Sequence, residues 1–405
     1  GWGLTLVRLL VTWEALGHKG PGLYDEEFID YLVFVLRKAE KHGVKCFVDP
    51  HQDTMSWTFE ILGAAHVHNL EEGTQPAHLV CSTMFTLFFA GHVLAPDAKY
   101  QGVNVGTFMQ EKYVQCYTHL ARRLKECKAV MGFEFMNEPH YGYVGLESML
   151  RFDPYMYLHF GNFPNALRSF ALGSGMEIEV DYYVKNFIGL TNKSGTRLVN
   201  SQKRSAWLNY GECVWKKHGV WDVDATGKPT VLKPNYFTTH PGTSEPLDFY
   251  QDFYMPLIRK YAAGIHSVSP DLLIFFEPIP NEDPPTLNEA DRVYPNLVYA
   301  PHWYDLKALG TKSFDAKVTF DGTKNIISGM YFGQVGAERN YTDQIGNIAR
   351  MGKTLVGARP ILLGEVGIPM DINEKRAYAT GDFKTHNQFL DLVIGSMEAH
   401  MLNFT

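Results

Sequence analysis

Two glutamates, Glu138 and Glu365, each close a run of apolar, strand-forming residues, and each is followed by a backbone restraint. Glu138 ends GFEFMNE with Pro139 directly behind it. Glu365 ends RPILLGE with Gly367 and Pro369 shortly after. Two carboxyl groups held at strand ends can divide the work on an acetal. One protonates the leaving oxygen, and the other attacks the anomeric carbon or activates water. Taken singly, either glutamate reads equally well as a surface acid, so the surrounding residues must decide.

Arg8 lies inside the apolar run LTLVRLLVTW, and a buried charge without a partner is costly. Paired with Glu365 it would keep a nucleophile ionised. Paired with Glu134, inward by parity with Glu138, it would be a structural ion pair. His51 and Asp53 in DPHQD, and His302 and Tyr304 in PHWYD, sit at two further strand ends. They can hydrogen-bond sugar hydroxyls, and Tyr304 can donate to the nucleophile. A metal site built from His51, His302 and an acid has no H-x-x-x-H or H-E-x-x-H pattern behind it, so no metal is expected. Glu277 in FFEP has the same local grammar as Glu138 but reads first as an ordinary strand-end acid. Trp303 and Trp57 read as packing or as stacking platforms. Cys46, mid-strand, reads as an inert core thiol. No Ser or Cys has the G-x-S-x-G setting of an α/β-hydrolase.

These residues need elements that bring their strand ends together. Strands are expected over Leu4–Trp13, Val44–Asp49, Ala129–Met136, Asp271–Glu277, Asn296–Ala300 and Arg359–Gly364, with another starting at Met401. Helical spacing covers Tyr24–His42, Thr107–Cys127, Leu247–Ile265 and Phe383–His400. Apolar strands alternating with helices argue for a parallel sheet covered by helices. Polar residues at the carboxyl ends of so many strands favour a (β/α)8 barrel with one mouth. A Rossmann sheet would need a glycine-rich turn after its first strand, which is absent. The pattern reads as barrel strands two to seven with the start of an eighth, the first strand being expected upstream of Gly1. Long insertions at Thr54–Gly106 and His140–Pro246 are expected to shape access to the mouth. Residues 1–405 read as one catalytic barrel domain. Within the first insertion, TMFTLFFAGHVLA (Thr83–Ala95) is too short to span a bilayer. It reads as a buried helix or as one wall of a groove for a lipid.

A net charge of −7 gives no basic field for nucleic acid. The cysteines, Cys46, Cys81, Cys116, Cys127 and Cys213, are odd in number and lack C-x-x-C spacing. A zinc ribbon or disulfide framework is not expected, and a reducing, intracellular setting is.

The ordered runs VRLLVTWEA, FVDPHQDTMSW, MGFEFMNEPH, YAPHWYD and LLGEVGIPMDIN resemble glycoside hydrolase family 5. The chain is most similar to the branch of endoglycoceramidases and their fungal relatives acting on steryl β-glucosides and glucosylceramides. TMFTLFFAG, FPNALRSFALGSG, RSAWLNYGECVWKKHGVW and YAPHWYDLKAL carry the fungal-type resemblance. The resemblance implies a retaining mechanism without a cofactor, with Glu138 as acid/base and Glu365 as nucleophile. Arg8, His302 and Tyr304 would support them. His51, Asp53, Asn137 and Trp303 would contact substrate, Asn137 at the 2-hydroxyl. The implied substrate is a lipid β-glucoside, steryl first and glucosylceramide second, reached from the cytoplasm or by transient contact with a membrane surface. A first strand, an aromatic platform after strand eight and a small β-sandwich are also implied, all outside the chain. A cellulase or mannanase, and a non-catalytic binding protein on the same scaffold, are the remoter readings.

Overall fold

The computed structural model describes residues 4–52, 82–151, 161–185, 191–207, 211–294, 296–324 and 328–405. The strands Leu6–Leu10, Lys45–Asp49, Val130–Glu134, Leu273–Phe276 and Leu297–Tyr299 form one sheet in that order, every neighbouring pair parallel. The run continues beyond Tyr299. Tyr299 bridges Ile361, His302–Trp303 pairs with Glu365–Val366, and Leu362–Leu363 pairs with Asn403–Phe404, all parallel. Spatial order follows chain order without a reversal. A doubly wound open sheet reverses at a switch point, whereas a (β/α)8 barrel does not. The fold is therefore the barrel.

The interior changes character along the strands. Phe47, Phe275, Val298, Ala300 and Leu362 form an apolar floor, with the Phe47 and Phe275 rings stacked at 4.1 Å. Gly132 leaves room for it: a Cβ there would meet the Leu273 carbonyl oxygen at 2.3 Å and the Phe275 ring at 2.8 Å. Side chains of a strand alternate in facing, so the next inward residues are Asp49, two after Phe47, and Glu277, two after Phe275. The barrel thus passes from stacked phenyl rings to charged groups within one repeat of the pleat.

Helices cover the outside. Glu26–Lys41 starts on an Asp25 cap that accepts the Phe28 N–H and buries Ile29, Leu32 and Leu36. Val105–Leu124 starts on an Asn104 cap. From Val105–Leu124 and from the turn before Met255–His266 come three buried tyrosines that account for part of the aromatic surplus. Their hydroxyls reach main-chain carbonyls at strand ends. Tyr113 donates to Phe135, Tyr117 to Val11 at 2.9 Å and Tyr254 to Glu277. Each buries its ring and still satisfies its polar tip.

Helix Ser82–Leu94 is buried all round except at His92 and Val93, as the buried-helix reading expects. Among the described residues no helix is long and apolar enough to cross a membrane. The structure departs from the sequence expectation in three places. The Leu247–Ile265 stretch begins with a π-helical turn, Phe249–Tyr254, before the α-helix Met255–His266. The second insertion carries a three-stranded antiparallel sheet, Gly161–Phe163, Ile178–Lys185 and Thr191–Val199. Helix Gly333–Met351 was not among the expected helices, although Ala337, Tyr341, Ile345 and Ala349 on its buried face recur every four residues.

Candidate active site

Arg8 is the hub of the site. Its Nε donates to Glu134 at 2.6 Å, and its Nη2 donates to Asn137 and to Glu277, both at 3.0 Å. Its Nη1 donates to Glu365 and lies 3.1 Å from Asp49. Both partners foreseen for it, Glu134 and Glu365, are engaged together. Burial opposes the charge on Arg8, but the surrounding carboxylates outweigh that and hold the guanidinium above its ordinary value.

His302 is the second cation. Its Nδ1 lies 3.1 Å from Glu138 Oε1 and 3.7 Å from Glu365 Oε2. Its Nε2 lies 3.0 Å from Glu277 Oε1, close enough to pair the charges though off the line of a good hydrogen bond. Burial pulls the imidazole down, yet Glu277, Glu138 and Glu365 raise it to about 10. The ring is therefore protonated at neutral pH.

The carboxylates differ in access. Asp49, Glu134 and Glu277 are at most 1% exposed, whereas Glu365 is 23% and Glu138 39% exposed. Only the last two can meet a substrate. An oxygen of Glu138, an oxygen of Glu365 and a nitrogen of His302 all lie within 4.8 Å of one another. Burial pushes Glu365 up, but His302, Arg8 and a 2.9 Å hydrogen bond from Tyr304 together hold its carboxyl below the ordinary range. Glu138 has a left-handed backbone, φ +40°, just before Pro139. Such a conformation costs about 1–3 kcal/mol and persists only where neighbours enforce it.

The other foreseen residues divide. His51 Nδ1 lies 2.8 Å from Asp49 Oδ2, at the rim of the cluster. Asn137 is 1% exposed. It accepts from Arg8 and gives one amide hydrogen to the Gln52 carbonyl at 3.2 Å. Asp53 and Trp57 lie outside the described residues. Trp303 departs from its expected place at the substrate. It is buried against Tyr341 and donates to Gln344 at 3.2 Å, because the pleat that turns His302 inward turns its neighbour outward. Glu277 departs in the opposite sense. It is not a bystander but touches Arg8, His302 and the backbone of Glu138. Asp49 was not singled out at all, although its parity with Phe47 marks it as inward.

Among the described residues, two sets of side chains have atoms close enough to hold a metal ion, Glu134/Glu277/His302 and Glu138/His302/Glu365. Both depend on the same imidazole, and a doubly protonated ring offers no lone pair. As arranged, guanidinium and imidazolium already pair with these acids.

Removing the Tyr304 hydroxyl tests the electrostatics of Glu365. A hydrogen bond to a charged group contributes about 1.5–3 kcal/mol, so Tyr304→Phe should lower kcat/KM about 10- to 100-fold. Glu365 must be ionised to attack, and its depressed value keeps it so as pH falls. Without the phenol, the acidic limb of the pH–rate profile should move to higher pH. An unmoved limb would mean that Tyr304 does not support the charge.

A singly wound parallel barrel presenting two accessible carboxylates over a buried guanidinium and imidazolium has the paired acids that hydrolysis of a glycosidic bond requires. Residues 1–147 match the family model "Cellulase (glycosyl hydrolase family 5)". That stretch, under half of the chain, resembles glycosyl hydrolase family 5. The chain is 44% identical over its whole length to a glucosylceramidase of Rhizopus delemar, covering 64% of that protein. It is 29% identical to the ergosteryl-beta-glucosidase of Saccharomyces cerevisiae, covering 62% of it. A crystal structure of Cryptococcus neoformans sterylglucosidase 1 superposes over all of this chain with a TM-score of 0.92 at 25% identity, the match covering 66% of that chain. The chain thus spans somewhat under two thirds of the length of the curated relatives it matches.

Proposed function

We propose that the protein is a retaining β-glucosidase that releases glucose from a lipid glucoside, residues 1–405 forming its catalytic domain. The observation that carries this reading is the separation of Glu138 and Glu365, with oxygens within 4.8 Å. Retaining enzymes hold their carboxyl groups about 5–5.5 Å apart, whereas inverting enzymes leave about 6.5–9.5 Å for a water. Glu365, ionised beside Arg8 and Tyr304, attacks the anomeric carbon and forms a glycosyl–enzyme ester. Glu138 gives its proton to the departing lipid alcohol. The resulting Glu138 carboxylate then takes a proton from water, which cleaves the ester and frees glucose.

Steryl β-glucoside is the first substrate reading, supported by the whole-chain likeness to a sterylglucosidase. Glucosylceramide is the second, supported by the name of the 44% identical relative. The full-length protein, assayed on both lipids in detergent micelles, should release glucose faster from the steryl glucoside; faster release from glucosylceramide reverses the order. Glu138→Ala tests the mechanism. It should cut kcat/KM on an alkyl glucoside about 10²- to 10⁴-fold and spare a dinitrophenyl glucoside, whose leaving group needs no acid. Azide should restore turnover as a glucosyl azide of retained β-configuration. A product of inverted configuration would remove the double-displacement reading.

A further inference from the structure

Glu277 ends the Leu273–Phe276 strand with its carboxyl group 1% exposed. Each of its oxygens is committed. Oε2 accepts the backbone N–H of Glu138 at 2.9 Å. Oε1 lies 3.0 Å from Arg8 Nη2 and 3.0 Å from His302 Nε2. Its own carbonyl is held by the buried hydroxyl of Tyr254. We propose that Glu277 is a positioning residue for the acid/base glutamate, fixing the main chain of Glu138 and the imidazole that touches its side chain. This rests on the acid/base assignment made for Glu138 above.

Three features of the geometry support it. Glu138 has a backbone conformation that an L-residue adopts only under constraint. Pro139 restrains one side of it, and the Glu277 carboxylate takes the N–H on the other. His302 stands between the two glutamates, Nε2 towards Glu277 and Nδ1 towards Glu138. The acids facing that ring are Glu134, Glu138, Glu277 and Glu365. The ring thus hydrogen-bonds Glu138 through Nδ1 and pairs its charge with Glu277 through Nε2. Finally, Glu277 cannot meet a substrate itself, being sealed beneath His302 and Arg8.

A glutamine at this position keeps the shape but not the function. Its single oxygen can serve either Glu138 N–H or the cations, and its NH2 group then points a donor at the other donors. The test compares kcat/KM for octyl β-glucoside, which needs an acid, with 2,4-dinitrophenyl β-glucoside, which does not. In the full-length protein Glu277→Gln should lose about 100-fold on the octyl glucoside and under about 10-fold on the dinitrophenyl glucoside. Glu138→Ala, run in parallel, should show the same bias at greater amplitude. Equal loss on both substrates in a folded Glu277→Gln protein overturns the positioning role. Wild-type protein inactive on both would refute the proposed glucosidase and, with it, the acid/base role on which this inference rests, a failure distinct from equal loss in the variant alone. Should Glu277→Gln not fold, Tyr254→Phe releases the Glu277 carbonyl while leaving every charge in place. It should bias the two substrates in the same sense, and no bias there counts against the proposal.

Discussion

Glu365→Gln is expected to reduce hydrolysis of either lipid glucoside by at least about 10⁴-fold, equivalent to about 5.5 kcal/mol of barrier. The amide is nearly isosteric with the carboxylate but cannot attack as an anion, and no neighbour can take its place. Asp49, Glu134 and Glu277 are sealed below the surface, and Glu138 is assigned the proton transfer. Unlike Glu138→Ala, this variant should lose activated and unactivated substrates alike, because ester formation is needed for both. The fold should survive. Glu365 is one of several acids on Arg8, and losing one negative charge from an acid-rich cluster relieves repulsion. Steady-state kinetics on both substrates, with thermal unfolding as the control, check the prediction. Wild-type rates in the variant would remove Glu365 as nucleophile.

Arg8→Met should be the most damaging substitution for stability, by about 3–5 kcal/mol, because removing one partner of a buried ion cluster leaves uncompensated charge behind. The charges left are Asp49, Glu134 and Glu277, each at most 1% exposed. Burial already pushes Glu134 and Glu277 above the ordinary carboxyl range, Glu134 further under the charge of Glu277. Without the guanidinium these acids bind protons more readily folded than unfolded, so folding is favoured as pH falls. The deficit relative to wild type should therefore be largest near pH 8 and shrink towards pH 5. Denaturant unfolding at both values measures it. A deficit under about 1 kcal/mol at pH 8 would mean that the cluster is neutralised without Arg8. Catalysis should fall too, since Glu365 loses one of the two cations that hold it ionised.

Much of this site could be read before any coordinates, and for a physical reason. A barrel gathers the carboxyl ends of distant strands, so polar residues in those places are neighbours whatever their separation in sequence. Arg8, His51, Glu138, His302, Tyr304 and Glu365 come together in this way. What could not be read is which way each ring or acid turns and what it pairs with. Trp303 looked like a platform because it adjoins His302, yet adjacency on a strand means opposite faces. Glu277 looked incidental because its role lies in contacts with the Glu138 main chain and the His302 ring, and neither contact leaves a spacing pattern. The parallel sheet followed from apolar strands alternating with helices, and the barrel from the polar residues at their carboxyl ends. The insertions did not, since the antiparallel sheet of residues 161–199 alternates with nothing.

The tyrosines on the outer helices carry an implication for how such a protein diversifies. Tyr113, Tyr117 and Tyr254 are rooted in the shell, yet each grips the main chain where a strand meets the mouth. They are tie-rods running through the wall of the barrel. A small slide of a covering helix would be transmitted to the rim and would re-aim the reactive groups without altering any of them. Selection for a new lipid aglycone could thus work from the periphery inward, and a library built on these helices would sample changes that one confined to the pocket would never contain.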